Sequence, residues 1–179
     1  PTPGPGWGDR TRCGELRAAD AGRAVRMVGW VDARRDHGDV VFVHLRDWTG
    51  ITQVVFQSDD ADLLSKASET HEEFCIEVRG EVVERVPGTQ NPGIATGEVE
   101  VVARELTVLN PSVPLPFPVS EKAMLAGAGA AQPSAVAEDL RLQYRYLDLR
   151  RPSMQDNLRK RYRVLKVVRD ILDSRDFVE

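Results

Sequence analysis

Apolar and polar residues alternate in five stretches within the first 110 residues, the period expected of half-buried strands. Val25, Met27, Gly29 and Val31 share one face of a strand predicted over 25–33. Over 40–46, Val41 and Val43 take one face, leaving Val40, Phe42 and His44 on the other. A third strand is predicted over 52–56, a fourth over 74–83, where Phe74, Ile76 and Val78 alternate, and a long fifth over 98–109. Turn chemistry separates them: Asp36-His37-Gly38-Asp39, then 47–50, then a loop rich in Pro, Gly and Asn over 87–97. A helical turn is expected over 16–23. Residues 61–68 read as a helix whose Leu63, Leu64 and Ala67 could plug a barrel end.

Five strands with a helix between the third and fourth is the order of an all-β, five-stranded OB-fold barrel. A β-sandwich would call for about seven strands and no inserted helix. Beyond the barrel the composition shifts. Four prolines fall between Pro111 and Pro118, and an Ala/Gly stretch follows from Ala123 to Ala131. Helical patterning returns over 138–150, and Pro152 suits the first turn of a second helix. There Leu158, Tyr162, Leu165, Val168 and Leu172 recur at spacings of three and four, an apolar stripe that must find a partner surface. The expected organisation is a flexible lead-in over 1–10, the barrel domain over 11–110, a linker over 111–137, and α-helical segments over 138–179. The chain opens on Pro1 rather than methionine, so its own N-terminus is expected upstream.

The 179 residues carry a formal net charge of −4, with 41% hydrophobic and 29% charged residues. That balance argues against a nonspecific nucleic-acid coat, whose affinity comes from a large basic surface. It leaves room for a reader of a few single-stranded bases, which needs only a local basic patch and stacking faces. No apolar run is long enough to span a bilayer, and no secretory signal opens the chain. Cys13 and Cys75 stand far apart, and with three scattered histidines they supply no zinc spacing. Two reduced thiols in a reducing compartment are expected.

OB folds bind oligonucleotides across the second and third strands and the adjacent loops. Arg34 and Arg35 close the first strand, Phe42 lies mid-strand in the second, and Gln53 opens the third. Phe42 is either a core residue or an exposed stacking platform. Gln53 can pair with a base edge, and the arginines can contact phosphate or stack, unless all three are simply solvated. Glu100 is an acceptor-only carboxylate able to read a guanine edge, or an ordinary outward strand residue. Arg85, between the fourth strand and the Pro/Gly loop, is equally open. No triad spacing and no phosphate-binding glycine loop is present, so the residues themselves describe a binding module.

Several runs resemble the bacterial-type aspartyl-tRNA synthetases. They are Arg12-Cys13-Gly14-Glu15-Leu16, Gly29-Trp30-Val31 with Arg34-Arg35-Asp36-His37-Gly38, Leu45-Arg46-Asp47 with Gly50, Gln53-Val54-Val55-Phe56, Asn91-Pro92, and Thr96-Gly97-Glu98-Val99-Glu100-Val101. Most specific is Leu140-Arg141-Leu142-Gln143-Tyr144-Arg145-Tyr146-Leu147-Asp148-Leu149-Arg150-Arg151-Pro152, similar to the hinge joining that family's anticodon and catalytic domains. The resemblance implies a barrel that splays the anticodon loop of tRNA-Asp and reads G-U-C. It places Phe42 in stacking on the central uridine, Gln53 in hydrogen bonding to it, and Glu100 on the first anticodon base. Arg35 and Arg85 would contact the loop's bases and backbone, with Arg34 in the same basic patch. His37 is a point of variation beside the loop, with a bearing on whether tRNA-Asn is charged as well.

The chain departs from that pattern at Ala33, where a third arginine is usual, at Asp39, and in its longer Ala/Gly linker. None of the class II catalytic motifs is present, so the chain is expected to be a fragment without catalytic residues, metal or cofactor of its own. The resemblance gives the parent enzyme ATP and Mg²⁺, aspartate activation and transfer to tRNA, and a homodimer formed partly through the second helix. It also implies a cytoplasmic location in a bacterium, or the mitochondrial matrix or chloroplast stroma. The competing classes are a free-standing OB-fold RNA-binding module without ligase activity, and a single-stranded DNA protein on the same barrel.

Overall fold

The computed structural model describes residues 9–57, 59–119 and 136–178. Most of the lead-in and most of the Pro/Ala/Gly linker expected from the sequence lie outside these residues. The described chain divides into two units, 1–114 and 115–179.

In the first unit a 3-10 turn, Ala18–Asp20, precedes strand β1, Ala24–Asp36. Strands β2, Val40–Arg46, and β3, Ile51–Gln57, follow. Helix α1, Ala61–Ser68, leads into β4, Cys75–Glu84, and β5, Val99–Asn110. The strands close into a barrel in the order β1-β2-β3-β5-β4, with β3 and β5 parallel and every other pair antiparallel. This is the OB-fold expected from the sequence. The predicted strands all form, none more than three residues from its expected ends.

The thirteen-residue β1 serves two partners, which is how so few strands close a ring. Its first half pairs with β4 and its second half with β2. Asp32 is an extra residue between Val31, opposite Leu45, and Ala33, opposite His44, so a bulge bends the strand there. A second irregularity, between Arg79 and Gly80, bends β4 against β5. Gly80 is required at that bend, because a Cβ would lie 2.2 Å from the Val102 carbonyl oxygen.

The inward faces form one apolar core in which Met27, Val31, Val41, Val43, Leu45, Val54, Phe56, Ile76, Val78, Val82, Val99 and Val101 are fully buried. Asp60 caps α1 by accepting from the Leu63 backbone amide at 2.9 Å, offsetting one of the donors every helix start leaves unpaired. Leu63 and Ala67 are thereby held in the core, with Leu64 packed at its margin. Cys13 lies in the same core, where burial pushes its thiol pKa far up and leaves it a small apolar side chain.

The second unit contains α2, Glu138–Gln143, α3, Arg145–Asp148, and the long α4, Pro152–Asp173. The single helix expected over 138–150 is broken at Tyr144, whose φ of −110° and ψ of 48° leave the helical region. In an unbroken helix Arg141 and Asp148 would stand about 10 Å apart along the axis. With the break, Arg141 Nε donates to Asp148 Oδ1 at 2.9 Å, and Leu147 packs on Phe117 and Val119. Pro152 opens α4 at its first turn, as expected. Along α4, Leu158, Tyr162, Leu165, Val168 and Leu172 are each at least 42% exposed.

Candidate nucleic-acid interface

Cross-strand pairing puts opposed residues on the same side of a sheet. On the outer surface of the barrel, Arg35 of β1 stands opposite Phe42 of β2, and Phe42 opposite Val55 of β3. One step along, Ala33, His44 and Gln53 form the next row. Phe42 is therefore outside the core, while Val41 and Val43 beside it are fully buried. His37, in the β1–β2 turn, meets the Phe42 ring edge-on, with centroids 5.8 Å apart and planes at 80°. The turn is held by Asp36 Oδ1, which accepts from the Gly38 amide at 3.0 Å, and that bond keeps the Asp36 carboxyl below its ordinary range.

Arg35, His37, Phe42, Gln53, Arg85, Thr89 and Asn91 line one cavity of about 270 Å³. Five of the residues selected from sequence thus share a single site. Glu100 joins them through Gln53, whose Nε2 donates to Glu100 Oε2 at 2.7 Å. Arg34 does not join them. It pairs with the inward-facing Val43, and its Nη1 donates to the Ser68 carbonyl at 2.7 Å and to Asp36 at 3.2 Å. It ties the end of α1 to the barrel mouth, while its neighbour Arg35 faces the cavity.

Arg85 is only 6% exposed. Its Nε donates to the Val99 carbonyl at 3.0 Å and lies 3.9 Å from Glu100 Oε2, while Nη1 lies 3.5 Å from the Thr89 carbonyl. Nη2 is buried and has no hydrogen-bond partner among the described residues. Burial lowers the Arg85 pKa, the Glu100 carboxylate opposes that shift, and the nearby Arg35 charge adds to it. A buried donor without an acceptor carries an uncompensated desolvation cost.

Sequence reasoning passed over three residues of the site. Thr89 and Asn91 come from the long loop, and their composition announces only a turn; Asn91 stood out solely within the Asn91-Pro92 motif. His44 shares the outer row with Gln53 yet is just 8% exposed, with its Nε2 3.4 Å from Arg35 Nη2. Among the described residues no group of three or more His, Cys, Asp or Glu is placed to hold a metal ion. The site offers the Phe42 and His37 rings, two guanidinium groups and the Gln53 and Asn91 amides. That set suits an unstacked base with its adjoining phosphate.

Residues 25–109 match the family described as OB-fold nucleic acid binding domain. Residues 137–179 match that described as tRNA synthetases class II (D, K and N). An aspartate–tRNA(Asp/Asn) ligase of Syntrophus aciditrophicus is 53% identical over 175 residues, covering 97% of this chain and 24% of the relative. The chain is a relative of the aspartyl-tRNA synthetases. An aspartate–tRNA(Asp/Asn) ligase of Mycolicibacterium paratuberculosis is 49% identical over 166 residues, 93% of this chain and 26% of that protein. The chain therefore spans about a quarter of the length of the curated relatives it matches. Among solved structures, the aspartyl tRNA synthetase of Entamoeba histolytica covers 94% of the chain, with 38% of its own length matched, a TM-score of 0.79 and 22% identity. That likeness supports the shared fold alone.

Proposed function

We propose that the barrel reads the anticodon loop of tRNA-Asp, with the sequence G-U-C, as the recognition module of an aspartate–tRNA ligase. The observation that carries this reading is the single outer-face cavity in which Phe42, Gln53, Arg35, His37 and Arg85 meet. Phe42 supplies the ring for the central uridine and Gln53 its hydrogen bond. Glu100 serves the first anticodon base, and Arg35 and Arg85 the loop's bases and backbone. Phe42→Ala is expected to weaken binding of a G-U-C anticodon stem-loop by about 2 kcal/mol, roughly thirtyfold. Titration of labelled stem-loop against both proteins checks it, and an unchanged dissociation constant would remove the stacking role. A free-standing RNA-binding module, or a single-stranded DNA protein, would show no preference for G-U-C over a permuted loop.

The whole enzyme would activate aspartate with ATP and Mg²⁺ and transfer it to the tRNA 3′ end. No catalytic step is assigned to the residues of this chain. The apolar stripe on α4 supports a homodimer contact in the whole enzyme. No helix among the described residues is long and apolar enough to cross a membrane. The bacterial relatives support a cytoplasmic location, the organellar matrix or stroma being the alternative. Because the curated relatives are named aspartate–tRNA(Asp/Asn) ligases, the whole enzyme is expected to charge purified tRNA-Asn as well as tRNA-Asp, with His37 at the cavity placed to bear on that choice. Absence of asparagine-tRNA product in a charging assay would restrict the specificity to tRNA-Asp.

A further inference from the structure

Two of the groups that face the RNA in this reading are bonded to each other. Gln53 Nε2 donates to Glu100 Oε2 at 2.7 Å, across 47 residues of sequence. The contact follows from the barrel's closure, because Val54 lies beside Val101 in the parallel β3–β5 pairing and so sets Gln53 next to Glu100. The identity of the bonded atom is chemically forced. An ionised carboxylate only accepts, so the amide must turn its NH₂ toward Glu100. The opposite orientation would set the Gln53 carbonyl oxygen against a carboxylate oxygen. Gln53 is 7% exposed, so its amide has little water to exchange with. Its Oε1 has no partner among the described residues. Behind the pair, Arg85 Nε lies 3.9 Å from the same Glu100 oxygen and is itself anchored on the Val99 carbonyl.

Resting on the proposed reading, we infer that Glu100 is a positioning residue that fixes the Gln53 amide by taking one of its two N–H donors, so that Oε1 is the acceptor offered to the central base. An acceptor at that point favours a base edge that carries a ring N–H. Uridine presents its N3–H there, whereas cytidine presents a lone pair at N3 and is disfavoured. The selection of the central base thus depends on a carboxylate that does not touch it. Oε2 of Glu100 is used for Gln53, which leaves Oε1 for the first anticodon base.

The test uses the 179-residue chain and two stem-loops identical except for uridine or cytidine at the central position. The unaltered protein should prefer uridine by roughly tenfold or more. Glu100→Gln provides an amide that can donate as well as accept, so Gln53 is released to present either edge. The preference should then fall to within about threefold. Equal weakening of both loops with the preference retained would overturn the inference and leave Glu100 as a direct contact only. An unaltered protein that does not distinguish a G-U-C loop from permuted loops would overturn the anticodon reading itself, and the inference with it. A readout independent of the variant's folding comes from nuclear magnetic resonance of the unaltered, RNA-free protein. The two Gln53 Nε2 protons should be distinct and protected from solvent exchange. Averaged, unprotected protons would overturn the positioning role.

Discussion

Gly97→Ala is expected to lower the barrel's stability by about 3 kcal/mol and to weaken stem-loop binding at the same time. A Cβ at Gly97 would lie 1.8 Å from the Asn91 carbonyl oxygen and 2.6 Å from its carbon. Both are backbone atoms, so no side-chain rotation relieves the clash. The main chain passes this close because it is stitched there: Asn91 donates to the Gly97 carbonyl at 3.0 Å, and Gly97 donates to the Ile94 carbonyl at 3.1 Å. Adding one methyl must push the loop outward, and that loop supplies Thr89 and Asn91 to the cavity. Urea denaturation with stem-loop titration on the same variant checks both effects. A midpoint and affinity equal to those of the unaltered chain would show that the loop accommodates the methyl without cost.

The second large effect is expected in the other unit. Asp148 has a fully enclosed side chain on which three arginines converge. Arg141 Nε and Arg151 Nη1 reach Oδ1 at 2.9 and 3.3 Å, and Arg145 Nη1 bonds Oδ2. Asp148→Ala removes the carboxylate on which these cations converge and leaves them facing one another. The expected cost is about 3 kcal/mol, at the low end for a broken buried pair because Arg141 and Arg145 remain partly in water. Asp148→Asn should recover only part of it, since an amide keeps the shape but loses the charge. Thermal unfolding of the three proteins, followed by far-ultraviolet circular dichroism, checks the order. Equal transitions would mean that the cluster contributes nothing.

The same site sets a pH dependence. Burial pushes the Asp148 pKa up, but the hydrogen bonds and charges of Arg141, Arg151 and Arg145 outweigh it, and the pKa is lowered. A carboxyl whose folded pKa is depressed adds stability in full above its unfolded value, about 3.9. That contribution is lost as the pH falls below that value through the lower, folded one. The gap between the unaltered protein and Asp148→Asn should therefore be constant near neutrality and shrink below about pH 4.

The strands, the inserted helix and the turns were legible because each depends on periodicity and turn chemistry within a few residues. Val25, Met27, Val31, Val41 and Val43 face the core as their alternation requires. Phe42 could be assigned to the outer face from the same alternation, though the choice between core and platform stayed open until its cross-strand neighbours were known. The break at Tyr144 was not legible. No glycine or proline marks it, and it is compensated by contacts from Phe117 and Arg151, distant in sequence or across a helix boundary.

By itself, then, the sequence determined the barrel, its order of elements, and the residue types able to meet a base. The tertiary structure decided which of them meet. Up to Val31, the odd-numbered residues of β1 face inward; had that continued, Arg35 would point inward and Arg34 outward. The bulge at Asp32 inserts one residue and reverses the parity, sending Arg34 to the mouth of the core and Arg35 to the outer face beside Phe42. Closure of β3 on β5 then brings Gln53 to Glu100. Neither event is encoded by any local period. Both depend on how strands far apart in the chain are paired.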